Sequence, residues 1–183
     1  MRPLKGKVIS GSYDSLEQLR VDDLYCYFKA NDLINETKVM IKVPKDEKGF
    51  RDLVYEWDYC KQLLKALKGQ DDIILKPTCL FHDFNNHSVG YLATSYDGSF
   101  KSVYELKKKG VFRRTDEEAR KEGSNRCITF EGKLTLMVKI AEAVERLHAA
   151  KYSHNNLDCW TILVNIDTFQ VMLTGLSCIT PFG

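Results

Sequence analysis

The feature that most constrains the fold is a change of hydrophobic period between residues 23 and 67. Apolar and polar residues alternate in DLYCYFKA, residues 23–30, which is typical of a strand with one buried face. TKVMIKV, residues 37–43, predicts a second strand, and the turn NDLINE between them makes the pair a hairpin. From residue 45 the apolar residues recur at steps of three and four, which predicts an amphipathic helix over residues 45–67. The apolar stripe of this helix is Leu53, Trp57, Cys60, Leu64 and Leu67.

The rest of the chain continues this mixed pattern and does not alternate strands and helices as a parallel α/β protein does. We expect two more strands around a turn at Asn85-Asn86, then a short helix, a long helix and two short strands. Their ranges are residues 77–84, 88–96, 102–110, 129–152, 161–165 and 169–176. The order is five strands with one helix among them, then helices, then a small hairpin, so the predicted fold class is α+β. The apolar stripe of the long helix is Met137, Ile140, Ala141, Val144, Leu147 and His148.

Length and composition exclude several classes of protein. With 183 residues, the chain can form one good-sized domain or two small lobes. The net charge of +2 gives no electrostatic case for binding nucleic acid or a membrane surface. No window has the roughly 18 apolar residues of a membrane span, and the N-terminus lacks an apolar signal segment. Six cysteines without a C-x-x-C pair indicate reduced thiols, so we expect a cytoplasmic protein.

A highly charged stretch of both signs, KKKGVFRRTDEEARKEGSNR, covers residues 107–126. Such a mixture predicts a solvated loop, and a docking patch for an acidic partner is the alternative.

The order of elements, with three motifs in place, resembles the eukaryotic-type protein kinase fold over almost the whole chain. VMIK, residues 39–42, is similar to the V-A-I-K strand of that family, and HNNLDCWTILV, residues 154–164, is similar to its H-R-D-L-K-x-x-N-I-L-V loop. MLTGLS, residues 172–177, aligns with the strand that runs into D-F-G. The resemblance implies a five-stranded antiparallel small lobe with an αC-type helix and the hinge in residues 1–97. It implies a partial large lobe in residues 98–183, truncated before the activation segment.

The resemblance also implies a vestigial nucleotide site in the small lobe. Lys42 would hold the α- and β-phosphates of ATP, and Glu56 would pair with that lysine. Met40 would partly fill the adenine pocket, where the family has a small alanine. The gatekeeper and hinge positions are Thr94, Ser95 and Tyr96. A residual nucleotide site and a purely structural ion pair between Lys42 and Glu56 are both consistent with this pattern.

The catalytic positions that the resemblance marks carry the wrong chemical groups. The aspartate that acts as base is Asn156, whose amide cannot accept a proton, and the lysine beside it is Asp158. The metal-binding asparagine is Thr161, and the aspartate of D-F-G is Gly175, so no carboxylate for Mg²⁺ remains there. We therefore expect no metal site.

The glycine-rich phosphate loop of the family is also missing. The corresponding stretch LEQLRVDDLYCYF, residues 16–28, contains no glycine, and Asp22 and Asp23 would repel phosphates. The family arginine is Asn155, so nothing there is expected to read an activation-loop phosphate.

These departures imply a pseudokinase-like interaction module, that is, a scaffold, allosteric regulator or decoy in kinase signalling. The expected partner is a protein, either a kinase or a kinase substrate. It would bind at the helix of residues 53–67, at the 107–126 loop or at the helix of residues 129–152, which corresponds to αE of the family. A homodimer through the uncovered face of this αE helix is a further expectation. No cofactor is expected, and ATP bound without Mg²⁺ is the alternative. The rival function is an atypical phosphotransferase with relocated acids such as Asp158 or Asp167.

Overall fold

The computed structural model describes residues 13–82, 90–95, 98–112 and 127–182. The predicted turn at Asn85-Asn86, the hinge residue Tyr96 and most of the charged loop lie outside the described residues. The chain divides into two compact units. The first comprises Met1–Asp58 and Lys76–Gly98, and the second comprises Tyr59–Leu75 and Ser99–Gly183.

The first unit is built on a five-stranded antiparallel sheet with the strand order β1-β2-β3-β5-β4. Its strands are β1 (Tyr13–Val21), β2 (Tyr25–Asp32), β3 (Thr37–Pro44), β4 (Pro77–His82) and β5 (Gly90–Ser95). Helix α1 (Glu47–Ala66) follows β3 and continues from the first unit into the second. The predicted α+β class and the antiparallel five-stranded sheet are confirmed.

The β2–β3 hairpin closes at the predicted turn. Its register runs without interruption from Tyr25 opposite Pro44 to Asp32 opposite Thr37. The carboxylate of Asp32 accepts the backbone N–H groups of Ile34 and Asn35, and the Asn35 amide donates to its other oxygen at 2.8 Å. The hydrogen bond from the Asn35 side chain lowers the pKa of the Asp32 carboxyl. This local network fixes the turn and leaves Ile34 75% exposed.

Both faces of the sheet are packed, which differs from the expectation of a half-buried β2. One face forms a cluster of buried residues: Tyr13, Ala30, Val39, Ile41, Val43 and Ala93. On the other face Tyr25 packs with Leu53 of α1, and Tyr27 and Trp57 are partly buried beside them. Alternation within β2 assigns Tyr25 and Tyr27 to the polar face, but α1 covers that face and buries Tyr25 to 4% exposure.

Strand β1 is an edge strand whose bounds were not predicted. It pairs with β2 with two irregularities in register, between Asp14 and Glu17 and between Gln18 and Arg20. Most of its residues are exposed, and Ser15 has a positive φ of 53°. Bulges and charges on an edge strand hinder pairing with another chain.

The second unit is built around a long helix and short β-ladders. Helix α2 is Val103–Lys108, and helix α3 is Phe130–Ala149. The strands are β6 (Lys101–Ser102), β7 (Tyr152–Ser153), β8 (Ile162–Val164), β9 (Val171–Leu173) and β10 (Thr180–Pro181). They form a three-stranded sheet, β6-β8-β9, and a two-stranded sheet, β10-β7. Two single 3₁₀ turns, Asp71–Ile73 and Leu176–Cys178, complete the unit.

Local capping sets the starts of both helices in this unit. Ser102 and Glu105 form a reciprocal capping box at the start of α2, with the Glu105 N–H donating to the Ser102 hydroxyl at 3.1 Å. At α3 the Thr129 hydroxyl accepts the N–H of Gly132 at 3.1 Å. Both caps satisfy N–H groups that have no partner within the helix.

The buried face of α3 differs from the predicted stripe. The residues that it buries are Gly132, Leu136, Ala143 and Leu147. Of these, Leu136, Ala143 and Leu147 pack in one cluster with Val164, Val171 and Leu173 of the β8–β9 hairpin. Met137 is 65% exposed, and Ala141 and His148 are exposed as well. The helix has two apolar faces, and the sequence pattern alone does not tell which one meets the hairpin.

Among the described residues, no helix is long and apolar enough to cross a membrane.

Gly132 provides a test of the packing of α3. A Cβ at this position would lie 2.6 Å from Cγ2 of Ile128 and 3.0 Å from the ring of Phe169. Gly132→Ala should lower the free energy of unfolding by about 1 kcal/mol, because overpacking typically costs about 1–3 kcal/mol and the gain in helix propensity offsets roughly 1 kcal/mol of that cost. The midpoint of urea unfolding measures this change.

The matched control is the same substitution in an Ile128→Ala background. There the alanine should cost less, because the closer of the two contacts is gone. An unchanged or raised midpoint for Gly132→Ala alone would contradict the packing described for α3.

Candidate functional site

One candidate site is a buried ion pair in the first unit. Nζ of Lys42, on β3, lies 2.6 Å from Oε2 of Glu56, on α1. The two side chains are only 8% and 5% exposed. The structure thus brings together the two residues that the sequence placed fourteen positions apart, and the charges neutralise each other away from water.

The ring of Tyr25 covers the ammonium group of this pair. Nζ of Lys42 lies 4.0 Å from the centroid of the ring, within the range of a cation–π interaction. Burial, with the carboxylates of Asp52 and Glu56 as smaller causes, raises the pKa of the Tyr25 hydroxyl above its ordinary value. The phenol therefore stays neutral. Among the described residues, its buried oxygen has no hydrogen-bond partner.

In the turn between β1 and β2, backbone amides donate hydrogen bonds to the side chain of Asp22, a residue of the same turn. Oδ1 of Asp22 accepts the N–H groups of Leu24 and Tyr25 at 3.0 and 2.8 Å. On the outside of the turn, Lys45 donates its N–H to the carbonyl of Leu24 and its ammonium to the carbonyl of Asp22. Backbone amides in such a turn are natural anion ligands, and here an aspartate of the same turn occupies two of them.

The remaining small-lobe positions lie on β3 and β5. Met40 is directly opposite Thr94 in the antiparallel pairing of the two strands, so their side chains lie on the same face as Lys42. Thr94 is buried, at 6% exposure. Ser95 pairs with Val39 through the backbone, and Tyr96 lies outside the described residues.

A separate candidate site is the loop before β8 in the second unit. Oδ1 of Asp158 accepts the N–H groups of Trp160 and Thr161 at 2.7 and 2.8 Å. The Thr161 hydroxyl accepts the N–H of Asp158 at 2.9 Å and lies 2.9 Å from the carbonyl of Asn156, to which it donates. Asp158 and Thr161 therefore stabilise the turn, while the side chain of Asn156 is exposed.

Thr161 also determines what can stand at position 175. Gly175 has a φ of 72°, which places it in the left-handed region that favours glycine. A Cβ at this position would lie 2.8 Å from Cγ2 of Thr161, which is itself only 4% exposed. The methyl group of Thr161 therefore occupies the space that a side chain at position 175 would need. These are the two positions at which the resemblance would place metal ligands.

Asn155 binds the segment that follows Gly175. Its Nδ2 donates to the carbonyl of Cys178 at 3.1 Å and to the hydroxyl of Thr180 at 2.7 Å. The pairing of β7 with β10 and the bond from the N–H of Phe182 to the carbonyl of Lys151 hold the same segment. Asn155, a neutral residue, therefore holds this segment directly.

His154 is packed inside the second unit. It is 2% exposed, and its Nε2 lies 3.0 Å from the carbonyl oxygen of Thr174. Such a histidine ties the loop to the strand that ends before Gly175.

Three parts of this arrangement were not predicted from the sequence. The alternation in β2 assigned Tyr25 to a polar face, although two tyrosines two residues apart could have indicated a second covered face. The self-bound turn had a local signal, because an aspartate at the start of a turn commonly accepts the amides two and three residues later. The contact between Thr161 and Gly175 had no signal in the sequence.

No protein-family model matches the chain, and a search of curated proteins also gives no match. Among solved structures, the chain is similar to a crystal structure of a kinase domain, with a TM-score of 0.69 and 14% sequence identity. The similarity covers 97% of this chain and 54% of the solved chain, so this chain spans about half the length of the structure that it matches. At this identity the match shows the fold alone.

Removing one member of the Lys42–Glu56 pair should destabilise the first unit strongly. Lys42→Met leaves the Glu56 carboxylate buried without its counter-ion, at an expected cost of about 3–5 kcal/mol. The double variant Lys42→Met/Glu56→Leu should lose much less, because no buried charge remains. The free energy of unfolding in urea measures both.

The matched control is the exposed pair of Arg51 and Glu47 on the same helix, whose side chains are 63% and 69% exposed. Arg51→Met should cost under about 1 kcal/mol. Equal losses from Lys42→Met and Arg51→Met would refute the buried pair.

Gly175→Ala tests the fit between Thr161 and Gly175. Left-handed backbone in a residue with a Cβ costs about 1–2 kcal/mol, and the contact with Thr161 adds to this. In a Thr161→Ser background, which keeps the hydroxyl and removes Cγ2, the alanine should cost measurably less. A double-mutant cycle on unfolding free energies gives the coupling, and a coupling of zero would show that the methyl group does not restrict position 175.

Proposed function

We propose that this chain, which has a protein-kinase-like fold, is a pseudokinase-like protein-interaction module that does not transfer phosphate. Its partner would be another protein, a kinase or a kinase substrate, for which it acts as scaffold, allosteric regulator or decoy. A fold does not determine function by itself. The proposal therefore depends on the chemistry of the two candidate sites, the ion pair of the first unit and the loop before β8 of the second.

The observation that carries the proposal is the state of the two phosphate-binding groups of the first unit. In a kinase-like small lobe, a lysine and the backbone of the β1–β2 turn bind the phosphates of the nucleotide. Here the ammonium of Lys42 is bound by Glu56 and covered by Tyr25. The amides of Leu24 and Tyr25 donate to Asp22. A nucleotide would have to displace the Tyr25 ring from the ammonium and the Asp22 carboxylate from the two turn amides. The Lys42–Glu56 pair by itself is compatible with a bound nucleotide.

The loop of the second unit supports the same conclusion. Phosphoryl transfer needs metal ions on carboxylate or amide oxygens and a carboxylate that orients the acceptor hydroxyl. Asn156 stands at the position of the base, and its amide has no basic character at neutral pH. Thr161 and Gly175 stand at the metal-binding positions, and the Thr161 hydroxyl is committed to the turn.

Two rival functions, an atypical phosphotransferase and a metal-free nucleotide switch, would each need groups that are already engaged within the protein. An atypical phosphotransferase with a relocated acid would use Asp158 or Asp167, but Oδ1 of Asp158 already accepts two backbone amides. A nucleotide switch that binds ATP without Mg²⁺ would need the Tyr25 ring moved off the Lys42 ammonium and the turn amides of Leu24 and Tyr25 released from Asp22. The interaction module makes neither demand.

Thermal unfolding measured with ATP, first in Mg²⁺ and then in EDTA, tests the proposed lack of nucleotide binding. A ligand at about 100 times its Kd would stabilise the protein by about 2.7 kcal/mol, and we expect no shift in either buffer. The control is the double variant Lys42→Met/Glu56→Leu, which lacks the family's phosphate-binding lysine and should give the same flat response.

A shift in Mg²⁺ that the double variant abolishes would support the phosphotransferase, and one seen in EDTA alone would support the metal-free switch. Either would overturn the proposed lack of nucleotide function. The proposed protein interaction is tested separately, with a partner protein that is first identified by cross-linking and then purified. We expect a stoichiometric complex whose affinity ATP does not change.

A further inference from the structure

Tyr25 links the β1–β2 turn to the buried ion pair. Tyr27 is directly opposite Lys42 in the pairing of β2 with β3, and Tyr25 lies two residues away on the same face of the sheet. This register places the ring of Tyr25 over the Lys42 ammonium, with 4.0 Å between Nζ and the ring centroid. The backbone N–H of Tyr25 donates to Oδ1 of Asp22 at 2.8 Å. One residue therefore contacts both the turn carboxylate and the buried cation.

Two groups of the chain occupy the places that an external anion would take in this unit. The Asp22 carboxylate accepts the N–H groups of Leu24 and Tyr25, and backbone amides in a turn are general anion ligands. The Tyr25 ring covers the ammonium of Lys42, whose side chain is 8% exposed. Because Asp22 belongs to the same turn, its effective concentration at the two amides is high. An external anion must therefore compete with tethered groups.

Contacts around the two rings hold this closed arrangement. The guanidinium carbon of Arg20 lies 4.0 Å from the centroid of the Tyr27 ring, and Nη2 of Arg20 lies 3.6 Å from Oδ2 of Asp22. The Tyr27 ring meets the Tyr25 ring edge to face, with 6.1 Å between the centroids. A series of alternating cations and rings therefore runs from Arg20 at the turn to Lys42 in the interior.

The closed arrangement has one unfavourable feature, which is the buried hydroxyl of Tyr25. The residue is 4% exposed, and among the described residues its hydroxyl oxygen has no hydrogen-bond partner. A buried polar group without a partner opposes the state that buries it, whereas the contact between the ring and the ammonium favours that state. These opposing contributions are of comparable size, which is the condition for a ring that can be released.

We infer that Tyr25 and Asp22 form an autoinhibitory latch, which when closed covers the Lys42 ammonium and two turn amides and when open leaves them free to bind a polyphosphate anion. The inference rests on the proposed function, since it names the contacts that prevent nucleotide binding. The apparent affinity for such an anion is lowered by the fraction of molecules in which the latch is open. Opening the latch by substitution therefore raises the affinity without adding any binding group.

Inorganic tripolyphosphate, titrated into the full chain, tests the latch. Tyr25→Ala removes the ring, and Asp22→Ala frees the amides of residues 24 and 25. The double variant should bind at least about tenfold more tightly than the parent, because a latch open in about a tenth of the molecules already weakens binding tenfold. Calorimetry gives the affinity, and the NMR shifts of the two amides report where the anion binds. Asp22→Ala alone, which leaves the packing of Tyr25 on α1 intact, should show a smaller gain.

Three controls separate the latch from effects of charge and packing. Asp23→Ala removes the neighbouring exposed aspartate, so it changes the net charge equally without freeing the amides that Asp22 binds, and it should give no gain. Tyr25→Phe keeps the ring over Lys42, so it should also give no gain. It should raise the midpoint of urea unfolding, because it removes the hydroxyl without a partner. Adding Lys42→Met/Glu56→Leu to the double variant should reduce its gain.

Three results would overturn the inference. The first is an unchanged affinity in both Asp22→Ala and the double variant. The second is a gain from Asp23→Ala equal to that from Asp22→Ala, which would make the gain an effect of net charge. The third is an unfolding midpoint of Tyr25→Phe that does not exceed that of the parent. Each of these would leave the proposed function standing, whereas a response of the parent to ATP would contradict the proposed function itself.

Discussion

The buried ion pair between Lys42 and Glu56 is the interaction on which the arrangement of the first unit depends. It joins the middle of the sheet to helix α1 at 2.6 Å, in surroundings that leave both side chains below 10% exposure. Desolvation of two charges is costly unless the geometry is good, and the ring of Tyr25 over the ammonium adds a favourable contact there. With α1 held at this place, Leu53 is buried and the sheet is covered on both faces.

In the second unit, the polar groups of the loop before β8 bind one another. Asp158 and Thr161 form a reciprocal turn, His154 contacts the carbonyl of Thr174, and Asn155 holds the segment after Gly175. Positions 161 and 175 depend on each other, because the methyl group of Thr161 occupies the volume that a side chain at position 175 would need. A larger residue at position 175 alone would therefore disturb this packing.

Helix α3 serves the fold with one face and leaves an apolar stripe on the other. Its buried side chains meet the β8–β9 hairpin, while Phe130 and Met137 remain exposed. The sequence predicted the helix over residues 129–152, and the structure has it at Phe130–Ala149. The predicted stripe nevertheless mixed the two faces, since it combined the fully buried Leu147 with the exposed Met137. Periodicity identifies a helix reliably but cannot assign its faces when both are apolar.

The sequence by itself determined the succession of strands and helices, the α+β class and the chemical groups at each candidate position, because these depend on local periodicity and residue type. The hairpin, helix α1 and the residues Lys42 and Glu56 were all predictable in this way. Only the tertiary structure decided that Tyr25 covers Lys42, that Thr161 fills the space beside Gly175 and which face of α3 is buried. Each of these depends on distances between segments that are far apart along the chain, and the pattern within one segment holds no information about them.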